Sequence, residues 1–143
     1  MRLESNLKFA VIIPARFKSS RFPGKPLVDI CGKSMLSRVW LQCCKAAVSD
    51  LVYVATDDVR ISQHCEQLGI QVLMTPETCM TGTDRVFEAS KQIDADIYIN
   101  VQGDEPLLDP NDILKVIEAS RQDPDAIINA MCSITNEIDF RSK

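Results

Sequence analysis

Phe9-Ala10-Val11-Ile12-Ile13 is the stretch of sequence that decides the fold, because five apolar residues follow one another without a polar interruption. Such a run predicts a β-strand buried on both faces, as in parallel sheets that are covered by helices. A basic, proline-rich loop, residues 14–27, follows it directly. A buried strand that leads into a polar loop indicates an α/β protein, in which ligands bind beyond the carboxyl ends of the strands.

The rest of the chain repeats this alternation of apolar runs and helical patterns. Further strands are predicted over residues 51–55, 70–74, 97–101 and 126–131. Between them, helices are predicted after Ser34, up to Gly69, from a cap at Thr83 and from Asp109-Pro110. This order predicts a three-layer α/β/α domain with a mostly parallel sheet. The loops after residues 13, 55, 74 and 101 are then expected to meet at one edge of the sheet.

Length and composition limit the class of protein. The chain has 143 residues, of which 45% are hydrophobic and 25% charged, as in one ordinary globular domain. No run approaches the roughly 20 apolar residues of a membrane helix, and residues 1–8 show no secretory signal. The six cysteines lack Cys-x-x-Cys spacing, so we expect reduced thiols that fill the core of a cytoplasmic protein.

Positive charge is concentrated in the loop that follows the first strand. Residues 14–26 carry Arg16, Lys18, Arg21 and Lys25 and no acid, whereas the whole chain has a net charge of −4. This distribution argues against nucleic acid as a partner, because duplex binding needs a broad positive surface. It suits a compact anion such as a phosphate chain, although a solvated basic loop is the alternative. Neither a Walker loop nor a G-x-G-x-x-G fingerprint is present.

Two acids, Asp104 and Glu105, come just after the predicted strand 97–101 and Gly103. Carboxylate oxygens at this position suit Mg²⁺ held against a substrate triphosphate, with Asp104 as the metal ligand. The alternative is an ordinary turn, since Gly-Asp and Pro are common turn residues.

Other polar residues follow the remaining strands. Thr56-Asp57-Asp58 suits the N-cap of the next helix better than catalysis. Backbone N–H groups of residues 81–85 suit an anion or a base edge, but Thr83 as a simple helix cap is equally compatible with the sequence. His64 falls inside a predicted helix and is interpreted as structural or exposed.

Five motifs in order resemble the 3-deoxy-manno-octulosonate cytidylyltransferase family over essentially the whole chain. They are IIPAR at 12–16, SRFPGKPL at 20–27, VATD at 54–57, GTDR at 82–85 and NVQGDEP at 100–106. The resemblance implies a nucleotide-diphospho-sugar transferase fold, similar to glycosyltransferase A. Family members are much longer, so it also implies a truncated domain. Residues 1–143 would be the nucleotide-binding portion, without the C-terminal half and the homodimer contacts found in the family.

The resemblance further implies a Mg²⁺-dependent reaction. CTP and 3-deoxy-manno-octulosonate (Kdo) give CMP-Kdo and pyrophosphate, for lipopolysaccharide biosynthesis. Arg16, Lys25 and Asp104 would be catalytic, with Asp104 as the metal ligand. Nucleotide-binding residues would be Ala15, Arg16, Arg21, Lys25, Gly82 and Arg85. Arg16, Arg21 and Lys25 would hold the triphosphate. The cytidine would be bound near Ala15 and by Gly82 and Arg85, and Gln102 would face the sugar acid.

Several alternatives stay open at this stage. The chain could be a catalytically incomplete CTP-binding fragment or a non-catalytic regulatory module. It could also activate a related acceptor, 8-amino-Kdo or a phosphonate. A dinucleotide-dependent oxidoreductase is disfavoured because the glycine fingerprint is absent. A phosphoacceptor that uses Asp57-Asp58 would leave the basic loop unexplained.

Overall fold

The computed structural model of the protein describes residues 7–47 and 49–131. Its strands are Phe9–Pro14 (β1), Asp29–Ile30 (β2), Lys33–Ser34 (β3), Val52–Thr56 (β4), Gln71–Met74 (β5) and Ile97–Asn100 (β6). Its α-helices are Met35–Ala46 (α1), Val59–Gln67 (α2), Gly82–Ser90 (α3) and Pro110–Gln122 (α4). Short 3-10 helices lie at Lys25–Leu27 and Ser49–Leu51.

The main sheet has the order β5-β4-β1-β6, and all of its neighbouring strands are parallel. Val11 in β1 lies between Val52 of β4 and Ile99 of β6. The chain moves outward from β1 to β4 and β5, and then returns to place β6 on the other side of β1. The order therefore reverses beside β1, which is the position where sheets of this type bind ligands.

Helices cover both faces of this sheet. Val11 and Ile13 of β1 belong to a buried cluster that includes residues of α1, α2 and α4. Ile12, which points to the opposite face, packs with Val86 and Ala89 of α3. The predicted three-layer α/β/α arrangement is therefore confirmed. The apolar runs of β1 and β4 are the centre of the core, because these two strands are covered on both faces, whereas β5 at the edge of the sheet has no fully buried residue.

Three of the four predicted helix starts are correct. Ser34, Asp58 and Asp109 cap α1, α2 and α4, and each side chain accepts a hydrogen bond from a backbone N–H of the first turn. The prediction that Thr83 caps a helix is wrong, because Thr81 caps α3. Thr81 has extended backbone angles and pairs with Asp84 three residues later, whereas Thr83 already lies within the helix.

The strand predicted over residues 126–131 is also wrong. These residues have no regular structure, and Ile127 and Met131 are 92% and 93% exposed. An apolar run becomes a strand only where a neighbour supplies ladder hydrogen bonds, and no described strand does so here. Conversely, the small β2–β3 hairpin was not predicted, because its strands are only two residues each.

The cysteines and His64, which the sequence analysis assigned to structure rather than function, differ in how deeply they are buried. Burial raises the pKa values of the Cys43 and Cys65 thiols to about 12, as befits core residues. The prediction that the cysteines fill the core is wrong for Cys31, which is exposed, and Cys132 lies outside the described residues.

His64 lies in α2, where its Nε2 is 2.7 Å from the hydroxyl of Ser34. In the described part of the chain, no helix could span a membrane.

Candidate functional site

A cleft of about 430 Å³ opens beyond the carboxyl ends of β1 and β6 and at the start of α3. It is the position that the reversal of strand order predicts. All eight residues singled out from the sequence line it: Ala15, Arg16, Arg21, Lys25, Gly82, Arg85, Gln102 and Asp104. Three segments far apart in sequence therefore converge on one site. The individual roles assigned to these residues stay predictions.

The loop after β1 brings cationic side chains to this cleft. Arg16 and Arg21 are exposed, and neither has an ion-pair partner among the residues that the structure describes. The amide of Gly24 donates a hydrogen bond of 2.9 Å to the carbonyl oxygen of Phe17, which closes the loop. Arg16 and Lys25 directly flank this closure, so it holds the two cationic residues near each other.

Lys25 crosses the cleft to Asp104. Its Nζ lies 2.8 Å from Oδ2 of Asp104, and the two side chains are 40% and 52% exposed. An ion pair this open to solvent contributes about 0–1 kcal/mol to stability, so it is easily exchanged for another partner. The pair joins the loop after β1 to the loop after β6. A phosphate group that enters the cleft would compete with Asp104 for Lys25.

Gly103 permits the close approach of these two loops. A Cβ atom at this position would lie 2.9 Å from the carbonyl oxygen of Pro14, at the end of β1. Because backbone atoms cannot move away cheaply, any larger residue would push the β6 loop from β1. Gly103 of NVQGDEP is therefore required for the loop after β6 to pack against β1, and this packing sets the position of Gln102 and Asp104.

Arg85 lines the cleft but is 3% exposed, unlike the arginines of the loop. Its Nη1 donates a hydrogen bond of 2.6 Å to Oγ1 of Thr75 and lies 3.2 Å from Oδ1 of Asp57. The sequence analysis identified neither Thr75 nor Asp57 as a partner of Arg85. A signal was available, because Thr75 directly follows β5 and Asp57 directly follows β4, and the ends of parallel strands meet at one edge of the sheet. Arg85 therefore ties α3 to the sheet as well as facing the site.

The start of α3 forms another part of the cleft. Thr81 and Asp84 exchange hydrogen bonds, with Thr81 N to Asp84 Oδ2 at 2.8 Å and Asp84 N to Thr81 Oγ1 at 3.1 Å. Hydrogen bonding to Thr81 holds the pKa of the Asp84 carboxyl below its usual value. The first turn of α3 is thus fixed with Gly82 beside Pro14. Cys79, predicted to be core, also lines the cleft.

Among the described residues that line the cleft, Asp104 is the one carboxylate that could bind a metal ion. The described residues contain no group of three His, Cys, Asp or Glu side chains that could hold a metal ion. Asp104 is half exposed in the cleft. Magnesium commonly takes one or two carboxylates and completes its octahedral shell with phosphate oxygens and water. Asp104 therefore fits Mg²⁺ that arrives with a phosphate ligand.

Comparison with known proteins agrees with this geometry. Residues 10–140 match the family model described as cytidylyltransferase. The chain belongs to the cytidylyltransferase family. It is 42% identical over 125 residues to 3-deoxy-manno-octulosonate cytidylyltransferase of Escherichia coli, covering 87% of this chain and 51% of that protein. It is 47% identical over 120 residues to the mitochondrial enzyme of Arabidopsis thaliana, covering 82% and 41%. The resemblance inferred from the five motifs is therefore confirmed.

Solved structures of cytidylyltransferases share the fold. A CMP:2-keto-3-deoxy-manno-octonic acid synthetase complexed with CTP superposes with a TM-score of 0.79 and 44% identity, covering 82% of this chain and 49% of that one. A cytidylyltransferase of Leptospira borgpetersenii, 19% identical, shares the fold with a TM-score of 0.72. The chain spans about half the length of the curated relatives it matches.

Proposed function

We propose that this chain supplies the CTP-binding part of an enzyme that transfers CMP from CTP to Kdo and releases pyrophosphate. One observation carries the proposal. Arg16, Arg21 and Lys25 converge on a cleft at the switch point of the sheet, where Asp104 is the carboxylate that faces them. Such a concentration of cations suits a triphosphate, and the family membership favours CTP.

In this reaction the residues of the cleft would bind and orient rather than react covalently. A hydroxyl of the sugar acid attacks the α-phosphorus in line, a new P–O bond forms, and the bond to the β-phosphate breaks as pyrophosphate leaves. Arginines suit bidentate contact with phosphate oxygens, and Lys25 supplies a compact charge. Positioning and charge neutralisation account for most of the rate in phosphoryl transfer.

The remaining cleft residues divide between the two substrates. We assign the cytidine to the backbone near Ala15 and to Gly82 and Arg85, since these flank β1 and the fixed first turn of α3. The N–H groups of such a turn are donors for an anion or a base edge. Gln102 lies on the β6 side of the cleft and would face the sugar acid.

Magnesium dependence is part of the proposal. Asp104 would hold the ion, which when bound neutralises charge on the phosphates. Lys25, released from its pair with Asp104, would then turn to a phosphate oxygen. A cytoplasmic location and a role in lipopolysaccharide biosynthesis are proposed with the Kdo substrate.

Nucleotide selectivity tests the proposal most directly. We expect CTP with Mg²⁺ to raise the melting temperature of the chain more than UTP, ATP or GTP at the same concentration. A ligand at 100 times its Kd adds about 2.7 kcal/mol to the stability of the folded state. Lys25→Ala should reduce the shift, and Lys45→Ala, an exposed lysine at the end of α1, should leave it intact. A shift that is equal for all four nucleotides would contradict the proposal.

Because the chain spans about half of each relative, a second candidate is a fragment that binds CTP without turnover. Pyrophosphate release in the presence of CTP and Kdo distinguishes the two. Binding without release favours the fragment. Release with 8-amino-Kdo or a phosphonate, and not with Kdo, identifies a related acceptor.

A further inference from the structure

The ring of Phe17, in the basic loop, lies close to both Gly24 and Arg60. Gly24 has a φ of +73°, and a Cβ atom there would lie 3.0 Å from a carbon of the Phe17 ring. The guanidinium carbon of Arg60 lies 3.3 Å from the ring centroid. The ring therefore packs near a glycine backbone and against a cation, which is attracted to the negative face of the aromatic ring.

Arg60 is itself held in place by Asp58. Nε of Arg60 lies 2.9 Å from Oδ1 of Asp58, and Nη2 lies 2.6 Å from Oδ2, which is a bidentate pair. The same carboxylate accepts a hydrogen bond from the backbone N–H of Arg60 and caps α2. The side-chain hydrogen bonds from Arg60 lower the pKa of Asp58, which stays ionised. The guanidinium plane is thus fixed by the first turn of α2.

Arg60 does not line the cleft that holds Lys25 and Asp104. It borders a neighbouring surface depression together with Phe17, and Arg16 lines both the depression and the cleft. We therefore expect Arg60 to affect a ligand beside Lys25 and Asp104 through the loop that contains Arg16 and Phe17. The path is short, because the Phe17–Gly24 closure lies directly between Arg16 and Lys25 in the chain.

We propose that Arg60 is a positioning residue that clamps Phe17 against Gly24 and so holds Arg16 and Lys25 in place for the triphosphate of CTP. The inference rests on the proposed function for its ligand. Without the clamp, the two cationic residues would have to be ordered when the triphosphate binds, and that ordering would reduce affinity. The β- and γ-phosphates should depend on the clamp more than the nucleoside does.

The test compares Arg60→Ala with Arg60→Lys, and uses Lys91→Ala as the matched control. Lys91, at the C-cap of α3, is an equally exposed cation whose Nζ lies 4.5 Å from the ring centroid of Phe87. Calorimetry on the full chain measures the affinities for CTP and for CMP. Arg60→Ala should weaken CTP binding by about two- to fivefold and leave CMP binding unchanged, while Arg60→Lys restores part of the loss. Lys91→Ala should match the wild type for both nucleotides.

An equal loss for CTP and CMP, or no loss at all, would overturn the positioning role. A second measurement examines the clamp without a ligand. The Gly24 amide, which donates to Phe17, should exchange its hydrogen about two- to fivefold faster in Arg60→Ala than in the wild type or Lys91→Ala. If wild-type chain binds no CTP, the proposed function fails, and Gly24 exchange still decides whether the clamp exists. Unchanged exchange would disprove the clamp.

Discussion

The cleft has two walls that use the same kinds of residue in opposite ways. The loop wall, residues 16–25, presents Arg16 to solvent with no ion-pair partner among the described residues. The helix wall, residues 81–85, contains Arg85, which is 3% exposed and is bound to Thr75 and Asp57. Both arginines line the cleft, and both belong to motifs that suggest nucleotide binding.

The difference distinguishes a side chain that is free to bind a ligand from a side chain that also stabilises the fold. A cation without a protein partner keeps its hydrogen-bond donors for a ligand, whereas a buried cation needs its partners to offset the loss of water. The loop wall should therefore determine affinity with little effect on stability. The helix wall, to which the cytidine is assigned, should determine stability as well as affinity.

The largest effect is expected at the buried arginine. Arg85→Met should lower the free energy of unfolding by about 3 kcal/mol, because it leaves the Asp57 carboxylate without its partner. Arg16→Met, which makes the same change on the loop wall, should alter stability by no more than about 0.5 kcal/mol. Urea denaturation measures both. Equal losses of stability in the two variants would remove the distinction between the walls.

A smaller effect is expected where the ion pair spans the cleft. Without metal, Asp104→Asn should tighten CTP binding by about fivefold, because Lys25 loses its competing carboxylate, 2.8 Å away. Adding Mg²⁺ should increase the affinity of the wild type for CTP, and it should not increase the affinity of Asp104→Asn. Calorimetry in EDTA and in Mg²⁺ measures this difference.

Glu105→Gln is the matched control, because it removes the same charge one position further along the chain. It should keep the magnesium-dependent gain of the wild type. If Asp104→Asn also keeps that gain, Asp104 is not the metal ligand. Both variants should unfold within about 1 kcal/mol of the wild type, since an exposed pair contributes little to stability.

Sequence alone was sufficient where the determining interactions are local or periodic. The apolar run of β1 predicted a strand covered on both faces, and parallel strands must bring their carboxyl ends to one edge. That rule predicts that the loops carrying Arg16 and Asp104 lie at the same edge of the sheet, and both residues line one cleft. The cap at Asp109 was equally readable, because an acid followed by proline is a local signal.

Sequence alone failed where the partner is distant in the chain or absent. Arg85 bonds to Thr75 and Asp57, and although both follow strand ends, spacing in the sequence does not reveal which side chains at that edge will bond. The contact of Arg60 with Phe17 is of the same kind, since it joins the first turn of α2 to the loop after β1. The apolar segment 126–131 was wrongly predicted as a strand, because periodicity does not reveal whether a neighbouring strand exists to pair with it.

The smallest effect concerns the choice between two threonines at the start of the helix wall, where sequence alone favoured Thr83. Thr81→Ala should lower the free energy of unfolding by about 0.5–1 kcal/mol, because it removes the acceptor for the N–H of Asp84. Thr83→Ala should be neutral or slightly stabilising, since this position lies within the first turn and alanine favours helix. Chemical denaturation of both variants measures the difference. If Thr83→Ala proved the more destabilising, α3 would begin two residues later, and Gly82 would lose the fixed position that the cytidine assignment requires.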